Sequence, residues 1–429
     1  MARIVVYSMG HRGDIYPYVP IAGELARRGH EVRFVLPREF HAQLAGEPFA
    51  CVHSGTDFGP VALDVHGAFL ARWGKRMGGV MTMRLYFGKF TVPHLATLFE
   101  TLDSELATAD LLISHPTYSL IGAMSCERRG LPWIVGDPHP MFVPTAHAAP
   151  AGLPDLGERL TKVMWRVGRT WVLNPISNSG QFVAFRRRLG LDATDWNVGD
   201  AMLSPHLNLG LFSPLYVDVK PDWPSNYHLT GFVHWTGPEA GAIRDDVSAF
   251  LDGGDPPVIV TLGTSAASAF PEVFERAARA LDALGVRGMH LTSSEAVADR
   301  VRAAVGSPSQ AVWPFVPLRP LLGRARGLVH SGAYGTNALA LEAGLASVIV
   351  PCLFDQLWHA KRQMQLGTGI HVRRPRDLVP SLRRLLIDGE LAAAATAFGA
   401  SISGEDGTGT AADAVEGFLA GRTRVGFTA

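Results

Sequence analysis

Three clusters of residues in the 429-residue chain could do chemistry. The first is Gly10-His11-Arg12-Gly13-Asp14-Ile15-Tyr16-Pro17, just after a short apolar run. Its glycines permit a tight turn and close approach of a ligand, and Asp14 or His11 can take the proton of an attacking hydroxyl. Asp14 equally suits the N-cap of the helix that begins near Pro17, and the two roles are compatible. The spacing is not a dinucleotide fingerprint, because no acidic residue ends the second strand, Val35-Leu36-Pro37. The second cluster is Val260-Thr261-Leu262-Gly263-Thr264-Ser265, a strand running into a Gly-hydroxyl loop that suits phosphate or an ordinary capped turn. The third runs from Trp313-Pro314-Phe315-Val316-Pro317 through Val329-His330-Ser331-Gly332-Ala333-Tyr334-Gly335-Thr336-Asn337 to Pro351-Cys352-Leu353-Phe354-Asp355-Gln356. Amides of the Gly332–Thr336 turn can cradle a diphosphate, with His330 or Ser331 adding a donor. Asp355 and Gln356 can bond sugar hydroxyls, or Asp355 can cap the next helix. Phe315 offers a flat face to a base, although a single aromatic is more often core.

These clusters need elements that hold them at strand ends. Arg3–Ser8, Glu31–Pro37, Phe49–Gly55, Asp110–His115, Trp133–Asp137 and Leu207–Ser213 read as strands of a first half, with helical patterns between most of them. Val258–Gly263, Met289–Thr292, Gly327–Ser331 and Ser347–Pro351 read as strands of a second, with helices over Pro271–Leu284, Gly335–Ala343 and Gln356–Leu366. Such alternation implies parallel sheets covered on both faces. The fold class is therefore α/β, with two doubly wound, Rossmann-like domains facing a central cleft, where ligands of open parallel sheets are expected. Residues 1–215 form the first domain, the proline-bearing 216–237 a linker, 238–400 the second domain and 401–429 a helical tail.

Composition narrows the function classes. Hydrophobic residues are 47% and charged residues 18%, which excludes a disordered chain. Lys plus Arg and Asp plus Glu are 39 each, so a binder of nucleic acid by bulk electrostatics is not expected. Cys51, Cys126 and Cys352 are too widely spaced for a metal or disulfide framework. The start, Met1-Ala2-Arg3 leading straight into Ile4-Val5-Val6-Tyr7, has no signal-peptide pattern, and no apolar run is long enough to span a membrane. A cytoplasmic protein is expected.

The Gly-Asp-x-x-Pro turn at Gly13–Pro17 and the run from Phe315 to Gln356 resemble those of GT-B nucleotide-sugar glycosyltransferases, the family of plant UDP-glucosyltransferases, sterol glucosyltransferases and bacterial antibiotic glycosyltransferases. The similarity is greatest to the bacterial natural-product members and extends over nearly the whole chain. It implies an N-terminal domain that binds the acceptor, a C-terminal domain that binds a UDP- or TDP-sugar, inversion at the anomeric carbon, and neither metal nor cofactor. Carried over, Asp14 falls on the base position, Phe315 and Val316 on the base-holding pair, Asp355-Gln356 on the sugar-binding pair, and Thr264 or Ser265 on a phosphate-binding hydroxyl. Two positions depart from the pattern: Ser331 stands where the diphosphate-binding His is usual, one residue after His330, and Leu339 where a ribose-binding Glu is usual, with Glu342 three residues on. Without a carboxylate on the ribose, a TDP donor becomes easier to accept than in most relatives.

The expected activity is hexosyl or deoxysugar transfer to a hydroxyl of a small, largely apolar natural-product or lipid-like acceptor. His115 and Phe142 are candidate acceptor-binding residues. Trp73, Tyr86, Phe87, Phe90, Trp165 and Trp171 are further aromatics of the two long insertions. Lys162, Arg166, Arg169 and Arg186-Arg187-Arg188 most simply form a solvated helix face, so membrane contact is not expected, though an acidic partner or anionic surface fits the same run. The competing readings are a GT-B epimerase, a catalytically silent homologue that activates a partner enzyme, and an NAD oxidoreductase, which lacks the fingerprint.

Overall fold

The computed structural model describes residues 1–57, 88, 91–149, 156–168, 179–194, 196, 198–235, 237, 243–267, 270–292, 294–314, 316–352 and 355–424. The chain divides into two compact units, the first made of Met1–Gly59, Met77–Trp235 and Glu405–Ala429, the second of Pro60–Arg76 and Thr236–Gly404.

In the first unit, strands β1 (Arg3–Tyr7), β2 (Glu31–Leu36), β3 (Ala50–His53), β4 (Leu111–Ser114), β5 (Trp133–Asp137), β6 (Leu207–Gly210) and β7 (Tyr227–Leu229) form one sheet in the order 3-2-1-4-5-6-7. All of its pairings are parallel. The central strands are apolar runs rather than alternating ones, as burial on both faces requires. The helix Tyr18–Arg27 buries Val19, Ile21, Ala22 and Leu25 and ends on Arg28, after which Gly29 takes φ +92°. The chain switches direction across the sheet between β1 and β4, where Tyr7 pairs with Ser114. The loops after both strands therefore leave the sheet side by side.

In the second unit, β8 (Val258–Thr261), β9 (Gly288–Leu291), β10 (Gln310–Trp313), β11 (Gly327–His330), β12 (Ser347–Ile349) and β13 (Gly369–His371) form a parallel sheet in the order 10-9-8-11-12-13. Val258 and Val260 enter one core with Val329 and Val348, whereas Ile259 enters the opposite one with Met289 and Leu328. Alternate residues of each strand thus feed two separate cores, as side chains alternating across a strand must. Its direction switch lies between β8 and β11, where His330 pairs with Thr261.

Several details differ from the sequence reading, among them the strands β10 and β13, which it left out. The proline-bearing stretch after residue 214 holds β7, which pairs with β6 through Asn208–Tyr227 to Gly210–Leu229. Three residues between turns carry little periodicity, and the prolines nearby masked them. Asp14 is not an N-cap. His11 holds that position in extended conformation, and Asp14 is third in the short helix Arg12–Ile15, its Oδ2 accepting the His11 N–H at 2.7 Å.

The helix Gly407–Arg424 belongs to the first unit. Ala411, Ala412 and Val415 are fully buried, and Arg28 ties it down by pairing with Asp413 at 2.5 Å and Glu416 at 2.8 Å. Gly231 and Gly407 let the backbones touch, since a Cβ on Gly407 would overlap the Phe232 carbonyl oxygen.

Candidate active site

At the switch point of the first sheet the chain after β1 turns through Gly10, at φ +95°. A Cβ there would stand 2.5 Å from Asp14 Oδ2 and 2.6 Å from the Tyr118 hydroxyl, so glycine is what admits both groups. The Ser8 hydroxyl donates to the Asp14 carbonyl at 2.5 Å and pins the short helix to the strand end. The Asp14 carboxylate is held on one oxygen by the His11 amide, while Oδ1 lies 3.6 Å from Nε2 of His115. His115 follows β4 directly and is 1% exposed. Its Nδ1 accepts the Thr117 N–H at 3.1 Å, so in the neutral ring the proton sits on Nε2, facing Asp14. Burial, with the neighbouring His139, holds the His115 pKa well below its ordinary value. Burial likewise lowers His11 to about 4. At neutral pH both rings are uncharged beside the carboxylate.

Two groups at this site were missed in the sequence. The His139 ring lies 5.3 Å from that of His115, and Tyr118 lies 5.6 Å from it. His139 follows the end of β5 and Tyr118 the end of β4, and the same strand-end rule that singled out His115 would have found them. Beneath them Asp137 is 1% exposed, accepting the His139 N–H at 2.7 Å and the Tyr227 hydroxyl at 2.8 Å. Burial raises its pKa to about 7 against these two donors. Strand β7, which supplies Tyr227, therefore helps fix the loop that carries His139.

The second switch point repeats the device. His330 ends β11, is fully buried, and accepts the Gly332 N–H on Nδ1 at 3.1 Å, which places its ring proton on Nε2. Burial, with His359 nearby, lowers its pKa to about 3. The Ser331 hydroxyl donates to the Leu262 carbonyl at 3.0 Å, bonding the end of β11 to the residue after β8. Gly332 stands at φ +88°, and a Cβ there would come within 2.9 Å of Ile349 and 3.0 Å of the Gln356 carbonyl. The helix Tyr334–Glu342 begins at Ala333 without a side-chain cap, its N-terminus following the Gly332 turn. The Gly332 amide is not among the donors expected of this turn, being engaged by His330. Tyr334 is buried, and Ala333, Gly335 and Thr336 are half-buried.

Asp355 does not cap the helix Gln356–Leu366; its Oδ2 lies 3.2 Å from Nε2 of buried His359, one turn on. Gln356 Oε1 accepts the Cys352 N–H at 2.8 Å and shapes the loop after β12. Leu339 packs against the apolar core beneath the sheet, and Glu342 pairs with Arg319 at 2.8 Å. Gly263 opens the helix Gly263–Ala267 at φ +71°, which bears Thr264 and Ser265, and Val316 is buried at the end of the β10 loop. Phe142 ends a short 3-10 turn. Phe315, Trp73, Tyr86, Phe87, Phe90, Arg169 and Trp171 lie outside the described residues. Among the described residues no group of three or more His, Cys, Asp or Glu is placed to hold a metal ion.

Two parallel sheets with loops of this kind at their switch points have close counterparts. Residues 308–405 match the family described as erythromycin biosynthesis protein CIII-like, C-terminal domain. Vancomycin aglycone glucosyltransferase of Amycolatopsis orientalis is 27% identical to this chain, covering 96% of each. O-mycaminosyltylonolide 6-deoxyallosyltransferase of Streptomyces fradiae is 26% identical, covering 98% of each. Among solved structures, the calicheamicin glycosyltransferase CalG4 superposes with a TM-score of 0.69 at 19% identity, covering 98% of each chain. The glycosyltransferase VinC, in complex with dTDP, superposes at 0.66 and 20% identity, over 97% of this chain and all of that one. The chain is an enzyme with the two-sheet GT-B fold. It is a glycosyltransferase, and the sugar it moves comes from a nucleotide sugar.

Proposed function

We propose that this enzyme inverts the anomeric centre as it moves a sugar from a UDP- or TDP-sugar to a hydroxyl of a small, largely apolar natural-product or lipid-like acceptor, with Asp14 as general base. The observation that carries this reading is the Asp14 carboxylate at the first switch point, one oxygen gripped by a main-chain amide and the other facing the neutral Nε2–H of His115. An acceptor hydroxyl is a poor nucleophile, and a carboxylate is a weak base in water. Deprotonation is therefore concerted with attack on the anomeric carbon, and the new bond forms on the face opposite the departing diphosphate. His115 acts as a positioning residue: its uncharged ring turns Nε2–H toward the carboxylate and, not being an imidazolium, has no acidic proton to give up to it. The N–H groups at the start of the helix Tyr334–Glu342 receive the charge that grows on the diphosphate, each typically contributing about 3 kcal/mol.

The donor side favours TDP. Leu339 brings no acceptor to a ribose 2′-hydroxyl, and Glu342 on the same helix is engaged by Arg319. A 2′-deoxyribose leaves no hydroxyl unpaired there. VinC and SsfS6, both similar in fold, bind thymidine diphosphate. Relatives named for vancomycin aglycone and O-mycaminosyltylonolide support a natural-product acceptor.

Thermal unfolding with a panel of UDP- and TDP-sugars tests the donor half. A donor at 100 times its dissociation constant stabilises the fold by about 2.7 kcal/mol, a readable rise in melting temperature. The TDP forms are expected to give the larger rise. A larger rise with the UDP form overturns the TDP preference, and no rise with any nucleotide sugar overturns the donor assignment.

A further inference from the structure

The helix Glu158–Val167 of the first unit turns its apolar side outward. Leu156, Leu160, Val163 and Val167 are 54%, 52%, 52% and 46% exposed, four of the ten exposed large apolar side chains among the described residues. Leu160, Val163 and Val167, spaced three and four apart, form one stripe along the helix, and Leu156 lies just before its start. The opposite side does the packing: Thr161 is fully buried, and Trp165 donates its ring N–H to the Ala148 carbonyl at 3.0 Å. Arg159, Lys162 and Arg166, spaced three and four apart, form a second exposed column beside the stripe. The one carboxylate on the helix, Glu158, is taken by His147 at 2.9 Å. Sequence periodicity suggested a solvated basic face; it could not show that the apolar face is the one left in water.

From this arrangement we propose that the helix Glu158–Val167, with Leu156 just before it, is a peripheral membrane-docking surface, lying flat on anionic lipid with Leu156, Leu160, Val163 and Val167 among the acyl chains and its three cations over the headgroup charges. Charge complementarity selects the occupant. An uninterrupted aliphatic stripe flanked by Arg and Lys matches an anionic bilayer surface, which offers apolar depth and negative charge along one line. No single helix among the described residues is long and apolar enough to cross a membrane, so contact of this kind stays at the surface. The helical part of the stripe runs roughly 10 Å along the axis, from Leu160 to Val167. The proposal stands apart from the assignment of donor and base.

Flotation of the full-length chain with vesicles tests it, using phosphatidylcholine alone and phosphatidylcholine with 30% phosphatidylglycerol (a composition of our choosing, roughly the anionic content that such assays need). The anionic vesicles are expected to bind the protein at least ~10-fold more tightly than the neutral ones, and less so in high salt. Leu160→Ser with Val163→Ser, and separately Lys162→Glu with Arg166→Glu, should each abolish that binding. All four side chains are exposed, so circular dichroism and melting temperature should stay at wild-type values. Equal or absent binding to the two vesicle types overturns the proposal, as does binding that survives either double substitution. A dimer in light scattering that Leu160→Ser with Val163→Ser dissociates, with no vesicle binding, would overturn it in favour of an interface between copies.

Discussion

His115 carries the most specific prediction at the scale of single residues. Its two nitrogens have separate tasks, Nδ1 accepting the Thr117 N–H and Nε2 facing Asp14. Asn can replace the first and Gln the second. His115→Asn should keep the turn yet lower kcat by about 10-fold or more with KM little changed, whereas His115→Gln should retain more kcat at some cost in stability. Equal kcat losses in both variants, tracking their melting temperatures, would reduce His115 to a structural role. Gly10 is similarly demanding. Gly10→Ala needs a left-handed φ and puts a methyl onto Asp14 and Tyr118, so kcat should fall sharply and the fold should lose about 1–3 kcal/mol. A Gly10→Ala enzyme with full activity and stability would mean that the turn is not as tight as described. Residue types at strand ends were enough to place Asp14, His115 and His330 at the two switch points. What each nitrogen bonds was not readable, since it depends on amides two residues on adopting a turn that side-chain identity does not announce.

At the scale of elements, buried strands announced themselves by apolar runs. Trp133–Asp137 and the helix Gln356–Leu366 fall where their patterns place them. The short edge strands β7, β10 and β13 did not, because three or four residues hold too little pattern to distinguish from loop. Close helix contacts were also invisible. Gly399 lies inside the helix Gly389–Ile402, where alanine would normally stabilise by about 1 kcal/mol. Here its Cβ would stand 2.7 Å from Gly344 Cα, backbone against backbone. Gly399→Ala should therefore destabilise by roughly 1–3 kcal/mol in urea denaturation, reversing the propensity expectation. A gain in stability would show that the two backbones are free to part.

For the whole molecule, pH reads the buried polar groups together. His11 and His290 are lowered by burial to about 4 and His330 to about 3, from an ordinary 6.5. Below pH 6.5 the unfolded chain takes up protons that these folded rings refuse, so the stability they allow above 6.5 is lost as pH falls toward 4 and 3. Asp137 works in the other direction, its folded value of about 7 against an ordinary 3.8 favouring the fold as pH falls from 7 to 4. Three histidines outweigh one carboxylate, and the melting temperature should fall between pH 6.5 and 4, more steeply in Asp137→Asn. A flat profile would contradict the burial of these rings. The two-sheet plan and its class of chemistry were legible from strand alternation and the Gly13–Pro17 and Phe315–Gln356 runs. The acceptor was not, because a pocket that binds by shape and apolar area leaves no fixed residue code.

The base assignment is reached most directly by comparing initial transfer rates of the wild type and Asp14→Asn on a TDP-sugar and a hydroxyl acceptor, with donor binding followed in parallel. Asn keeps the size and the bond to the His11 amide but accepts no proton. A loss of roughly 100-fold or more in kcat with the donor bound as tightly as before is the predicted result. Transfer at the wild-type rate by Asp14→Asn would contradict it.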